Sequence, residues 1–412
     1  MLGFGSDGAS VMLGHKNGVY AALKSMFPKV IGWHCWNHRL ELAVNDAVKN
    51  CTEINHFKML MDKLYSIFSM SPKHQRSLVA CAAELSVSLR RIGRILDVRW
   101  VASSFRTVNA VWSSYEALVK YFQNCSTDTA LDGKERAISV GIVKKLTGVV
   151  FVKNIATMLD ALEELSEVSL KLQAADIIMP RALRHITRLT DIFQGRKESG
   201  GHFYREALAS IATGKFRDIP LCENGKEPLI KTGQFYQSLI DSLSARLLDE
   251  SSSAISADMK VLFPLTWPWP SELTAEFGEV ELRNTCKLLD IDFSTAKQGF
   301  RDYKDNNGQI IPGDLRCLMN AVATLPVSTA ACERGFSRMN LICTSLRSTL
   351  TVNHLSSLIF ISTVGPPLQN WKPELYVKSW LAKGRRDAKD LFCKMQNADT
   401  PKVAMEHVWS IL

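Results

Sequence analysis

The chain has 412 residues, 46% of them hydrophobic and 22% charged, and 50 Lys+Arg against 41 Asp+Glu leave a net charge of +9. This composition is ordinary for a soluble globular protein and supplies ample apolar material for a core, so disorder is not the expectation, and the length suits two or three folded units. The longest apolar runs, such as "SLIFI" and "GVVFV", are far too short to span a membrane. The first twenty residues lack a basic stretch followed by an apolar one, and the ten cysteines form no CxxC pairs, so the expectation is an intracellular protein with reduced thiols.

The chain opens with "MLGFG", a short apolar run that reads as a strand ending in glycine. Ser6 or Asp7 then caps a helix carrying Val11, Met12, Val19, Leu23 and Phe27, and Pro28 stops it. "KVIGWHC", rich in β-branched and aromatic residues, reads as a second strand. "NHRLELAVNDAVKN" places Leu40, Ala43, Val44 and Ala47 on one helical face. Strand, helix, strand and helix in that order predict a crossover between two parallel strands. From about residue 54 the spacing of apolar residues predicts helices almost throughout. One of them puts Ile155, Leu159, Leu162 and Leu165 on a single stripe, with Glu163, Glu164 and Glu167 off it. "ENGKEP", "FPLTWPWPSE" and "YKDNNGQIIPG" read as loops. The C-terminal region reads as a helix, a break at Pro326, a second helix, a cap near Thr351 and a last apolar helix. No internal repeat or low-complexity tract is visible.

Several residues could carry chemistry. Asp7 stands at a strand-to-helix junction, a place for a helix cap or for a metal-binding carboxylate. Cys35 and His38 form a C-x-x-H with His34 beside them, but structural zinc takes four ligands and only Cys51 and His56 lie near, at irregular spacing. Glu333 falls in the first turn of a helix, where the helix dipole favours an acid whether or not a metal is bound. Lys73, Arg76, Arg90, Arg91, Arg94, Arg99 and Arg106 cluster against Glu84 and Asp97, and Arg181, Arg184 and Arg188 share one helical face. Such stripes suit phosphate contacts and equally suit solvated helix faces. Near the end, Leu341, Ile342, Leu346, Leu350, Leu355, Leu358, Ile359, Phe360 and Ile361 exceed what one apolar stripe requires. They serve either association or the chain's own core.

"STAACERGFSRMNLICTSLRSTLTVNHLSSLIFI" resembles the C-terminal dimerisation region of hAT-superfamily transposases, the hobo and Activator type. "GFGSDGASVMLG", "WHCWNHRLELA" and "DVRW" resemble other blocks of that family in the same order, and "WKPELYVKSWLAKGRRDA" is similar to the tail of its vertebrate transposon-derived relatives. The resemblance implies a mainly α protein with a small α/β part: an incomplete RNase H-like core interrupted by a large all-helical insertion. The ranges it implies are 1–110 for the core with its following helices, 111–310 for the insertion, 311–365 for the dimerisation region and 366–412 for a tail. Active members hold divalent metal with three carboxylates. Asp7 matches the second and Glu333 the third, while the first belongs to a strand expected before residue 1. Cys35 and His38 would shape a DNA-facing wall and Trp100 would stack on a base, with Arg91, Arg94 and Arg99 as phosphate contacts. Leu346, Leu350, Leu355, Leu358 and Ile359 would join protomers.

The expectation is therefore a domesticated, catalytically inactive, transposase-derived nuclear protein. It would act through homo-oligomerisation with residual DNA binding, without a membrane, a small-molecule substrate or a cofactor. Two alternatives stand beside it: a DNA transposase or nuclease binding Mg²⁺, if a longer form supplies the missing acid, and a SUMO-ligase-like or transcriptional adaptor. The protein is predicted not to cut end-labelled hairpin or terminal-repeat DNA in Mg²⁺ or Mn²⁺. Cutting that disappears in Glu333→Gln would reverse this expectation.

Overall fold

The computed structural model describes residues 1–382 apart from 50, 96–99, 224–226, 249 and 270–273, and for 250–254 and 368 it describes the backbone alone. Helix accounts for 70% of the structure and strand for 4%, so the fold is mainly α with a small sheet, as the sequence predicts. The chain divides into two units, Met1–Ala331 and Cys332–Leu412. That division falls inside the 311–365 segment, and position 110 lies within a helix rather than at a boundary. Among the described residues no helix is long and apolar enough to cross a membrane, and the cysteines are free.

Glycine admits the first strand to its place. In β1 (Gly3–Ser6), a Cβ at Gly3 would lie 2.7 Å from Pro326 and one at Gly5 3.0 Å from it, so only bare backbone fits beneath that ring. The strand pairs in parallel with β2 (Ile31–His34), Gly3 beside Ile31 and Ser6 beside His34, which is the predicted crossover. The single helix predicted between them is two: α1 (Ser10–Leu13) and α2 (Val19–Met26). Gly14 and Gly18 pack so closely that a Cβ on Gly18 would come within 2.6 Å of the Gly14 backbone, and the chain turns there. No residue of either helix is buried, and Val11, Val19 and Phe27 are exposed. Tyr20 is the exception in kind, stacking on Phe4 at 6.3 Å and donating its hydroxyl to the Val30 carbonyl.

The following helices build the core of the first unit. α3 (Trp36–Lys49) buries the predicted Leu40, Ala43, Val44 and Ala47. α4 (Thr52–Met70) and α5 (Pro72–Glu84) follow, with Ser71 capping the second through the His74 amide and Pro72 at its first turn. After an irregular stretch come α6 (Trp100–Ser113), α7 (Tyr115–Thr127) and α8 (Gly133–Leu146), the last capped by Asp132, whose carboxylate accepts from the Glu135 amide at 2.6 Å. α9 (Val149–Leu172) is the centre of the unit and packs against α3, α4, α6 and α8. Apart from Lys153, every residue from Phe151 to Leu162 is buried, as befits a helix apolar around most of its circumference.

Polar groups inside this core are satisfied by specific partners. Asn154 ties down the 228–230 segment, donating to the Pro228 carbonyl at 2.9 Å and accepting from the Ile230 amide at 2.8 Å. Asp160, 1% exposed, accepts backbone bonds from Gly201, Phe203 and Tyr204 at 3.1, 3.0 and 2.9 Å. It thereby caps α11 (His202–Ala212) just after α10 (Met179–Ser199) ends at Gly200. Arg196, on α10, donates to the Asp160 carbonyl and to Glu164, each at 2.6 Å.

A tight hairpin of β3 (Lys215–Phe216) and β4 (Ile219–Pro220) turns through Arg217 and Asp218, both at positive φ. α12 (Thr232–Leu247) returns to lie between α3 and α10, and its Arg246 pairs with Asp46 at 2.6 Å. α13 (Glu250–Lys260), α14 (Glu279–Leu289), α15 (Phe293–Asp305) and α16 (Gly313–Ala323) complete the unit. α17 (Ala330–Ile342) leads into the second unit, which continues with α18 (Val352–Val364) and α19 (Glu374–Ala382). The predicted cap is present, Thr351 accepting from the His354 amide, and Arg338 of α17 bonds Ser362 of α18.

Removing the Asp160 carboxylate leaves several buried donors without an acceptor. Asp160→Ala is expected to lower unfolding stability by about 3 kcal/mol, read as a reduced urea midpoint with unchanged slope. Gly201→Ala acts on the same joint from the other side, because its Cβ would lie 2.2 Å from the Asp160 carboxylate. Midpoints within error of wild type in both variants would show that this joint is not a stability determinant.

Candidate functional site

Parallel strands bring the residues that follow them to a common edge. β1 ends at Ser6 and β2 at His34, so Asp7 and Cys35 emerge side by side at the carboxyl end of the pair. This is where open sheets with parallel strands gather functional groups. Asp7 is exposed, and its carboxylate accepts from the Ala9 amide at 3.1 Å, turning the chain toward α1 without capping it. Between them Gly8 takes φ +83°, and its backbone lies across the His34 ring so tightly that a Cβ would come within 2.5 Å of it.

His34 is the centre of this edge. Its ring lies 5.5 Å from that of His38. Burial, followed by the positive charges of His38 and Arg39, holds its pKa below the ordinary 6.5, against a smaller opposing pull from Asp7. Its Nε2 is buried without a hydrogen-bond partner, as are Ser6 Oγ and the indole nitrogens of Trp33 and Trp36. The Gly8 backbone closes over this imidazole and shapes the edge.

Cys35 is 2% exposed and is held structurally: the Thr329 amide donates to its Sγ at 3.3 Å, and its thiol faces Ser328 Oγ at 4.0 Å. With the Trp36 amide donating to the Val327 carbonyl at 3.0 Å, these bonds fasten the 327–329 segment to the strand ends. His38 is half-buried beside it, so the pair sits at the strand-to-helix turn. Among the described residues no three His, Cys, Asp or Glu side chains come together in a way that could hold a metal ion.

Glu333 lies exposed in the first turn of α17, in the second unit. Trp100, expected to stack on a base, is 4% exposed and belongs to the core. Stacking needs an open ring face, and the side chain has given its faces to packing. Arg91 and Arg94 are exposed on the stretch between α5 and α6, which Ile92 and Ile95 anchor in the core, while Arg99 lies outside the described residues. Arg181, Arg184 and Arg188 share the exposed face of α10. Their charges, with that of Lys171, press the His185 pKa down after burial has done so first. Leu350, Leu355, Leu358 and Ile359 are half-buried, and Leu346 is 95% exposed.

Sequence reasoning missed Glu41 and Asp160, two buried acids that receive helix N-termini; Glu41 accepts from the Val101 amide at 3.2 Å. The available signal was an acid flanked by apolar residues on a core helix, as in "MLDAL". No family model matches the chain.

Because His34 resists protonation in the fold and takes a proton at pH 6.5 when unfolded, its contribution destabilises the fold as pH falls below 6.5. In an NMR titration its midpoint is expected below 6.5, rising in His38→Gln as one like charge is removed. A midpoint at or above 6.5 would contradict the arrangement described.

Proposed function

We propose that this protein acts by associating with a second copy of itself through the C-terminal helices, as a transposase-derived protein of the hAT type that retains the dimerisation region. The observation that carries the reading is α18. Val352, Leu355, Leu358, Phe360, Ile361 and Val364 point all around a helix of about 3.6 residues per turn, yet no residue of α18 is buried. A helix apolar on every side belongs inside a larger core. Beside it Phe336 is 62% exposed, Leu341 80% and Leu346 95%, a surface more apolar than a solitary unit keeps in water. A second copy is the favoured occupant because this segment is the one that resembles a dimerisation region. The parallel β1–β2 pair followed by a long helical stretch supports descent from an interrupted RNase H-like core.

A charge in that surface tests the reading. Burying an unpaired charge costs several kcal/mol, and each 1.4 kcal/mol is about tenfold in affinity. Wild type is expected to run as a dimer by light scattering, and Leu358→Asp as a monomer with unchanged helical circular dichroism. An unfolded variant assigns Leu358 to the chain's own core. A wild type that stays monomeric at high concentration ends the proposal.

A further inference from the structure

Proline fixes its own φ near −65° and holds the residue before it in extended or polyproline II backbone. Three prolines punctuate "FPLTWPWP", which lies between α13 and α14. Pro264 opens a single 3-10 turn, Pro264–Thr266, and Trp267 then stands at φ −72° and ψ 150°, within a few degrees of polyproline II. Trp269 also precedes a proline, so the same restriction acts on it. The stretch is firmly anchored on one side. Trp267 donates its indole N–H to the Val261 carbonyl at 2.7 Å and packs edge-on against Tyr303 and Phe300, with ring centres 5.5 and 6.4 Å away. Pro264 lies so close to Gly308 that a Cβ there would meet the proline ring at 1.9 Å. Successive side chains of a polyproline II helix, with about 3 residues per turn, point about 120° apart. With Trp267 turned to the core, Trp269 therefore takes an edge turned away from it, and it is 78% exposed.

We infer that Pro268 and Trp269 are a displayed ligand for a polyproline II-binding domain of another protein, one whose groove is lined by aromatic side chains. Such grooves receive a proline ring together with its neighbouring side chain. They suit this backbone because it is extended and has no internal hydrogen bonds, which leaves its carbonyls free for donors in the groove. Here the conformation exists before the partner arrives, so docking has little further chain to order. The buried Trp267 holds the segment in that form, and the exposed indole of Trp269 supplies the kind of aromatic anchor on which protein interfaces depend. No residue from Phe263 to Trp269 is charged, which disfavours a nucleic acid or an anionic membrane as the occupant. This surface is separate from α18 and does not rest on it.

The full chain is titrated against purified SH3 and WW domains, two groove types that read this backbone, with binding followed by biolayer interferometry. Saturable binding to at least one of them is expected, with Leu358→Asp binding as wild type does. Trp269→Ala and Pro268→Ala are each expected to weaken it at least tenfold, the first by removing the aromatic contact and the second by freeing φ. Val280→Ala, which trims an exposed apolar residue of α14, is expected to leave it unchanged. Circular dichroism checks that each variant is folded. Should Pro268→Ala fold poorly, the free peptide of residues 263–272 is used as a competitor with and without that substitution, and only the unsubstituted peptide is expected to displace the domain. Absence of binding to both groove types would overturn the inference. Binding that survives Pro268→Ala but not Trp269→Ala would also overturn it, because the contact would then be a lone aromatic side chain rather than a polyproline II segment. A chain that loses its self-association through Trp269→Ala in light scattering would do the same, by making the loop a contact between copies.

Discussion

One buried carboxylate holds the middle of this protein together. Asp160 lies in the centre of α9, on the most enclosed stretch of the chain, and gathers the first amides of α11. A buried charge is tolerated only where hydrogen bonds replace the lost water. Here backbone donors do so, and Arg196 fixes the neighbouring carbonyl and Glu164. The direction in which α11 leaves α10 is set by that grip, with Gly201 leaving room for the carboxylate. Everything packed on α9 inherits its position.

The two-stranded sheet depends on a different device, the return of the chain after a long excursion. Residues 327–329 reach Cys35 and Trp36 across some 293 positions of sequence. Pro326 closes over Gly3 and Gly5 in the same stretch. The strands are thus held on one face by residues that the chain makes much later, and on the other by Tyr20.

Much of this was legible in the sequence because the signals were local. The parallel pair followed from two β-rich runs flanking one crossover. The cap at Thr351, the break at Pro326 and the stripe of Ile155, Leu159, Leu162 and Leu165 each rest on a few neighbouring residues. What failed depended on distant partners. The one helix read between the strands is two, because the close approach of Gly14 and Gly18 turns the chain between them. The hairpin at Arg217 and Asp218 lacks the Asn-Gly or Asp-Gly signature of such turns. It is held instead by the Arg217 guanidinium, which bonds the Trp112 carbonyl at 2.6 Å and lies over that indole ring. At the candidate site, Asp7 and Cys35 directly follow the ends of β1 and β2. The enclosure of His34 by Gly8 was not readable, since it turns on a positive φ that no spacing announces.

The pairing of Arg246 with Asp46 joins residues 200 positions apart, and with it α12 covers α3. A ribosome adding about 5–20 residues each second needs on the order of 10–40 s to make that span. During that interval α4, α6 and α9 can already pack on α3, but α12, the helix that covers most of it, has not been made. Until then part of the apolar face of α3 is left without its final partner.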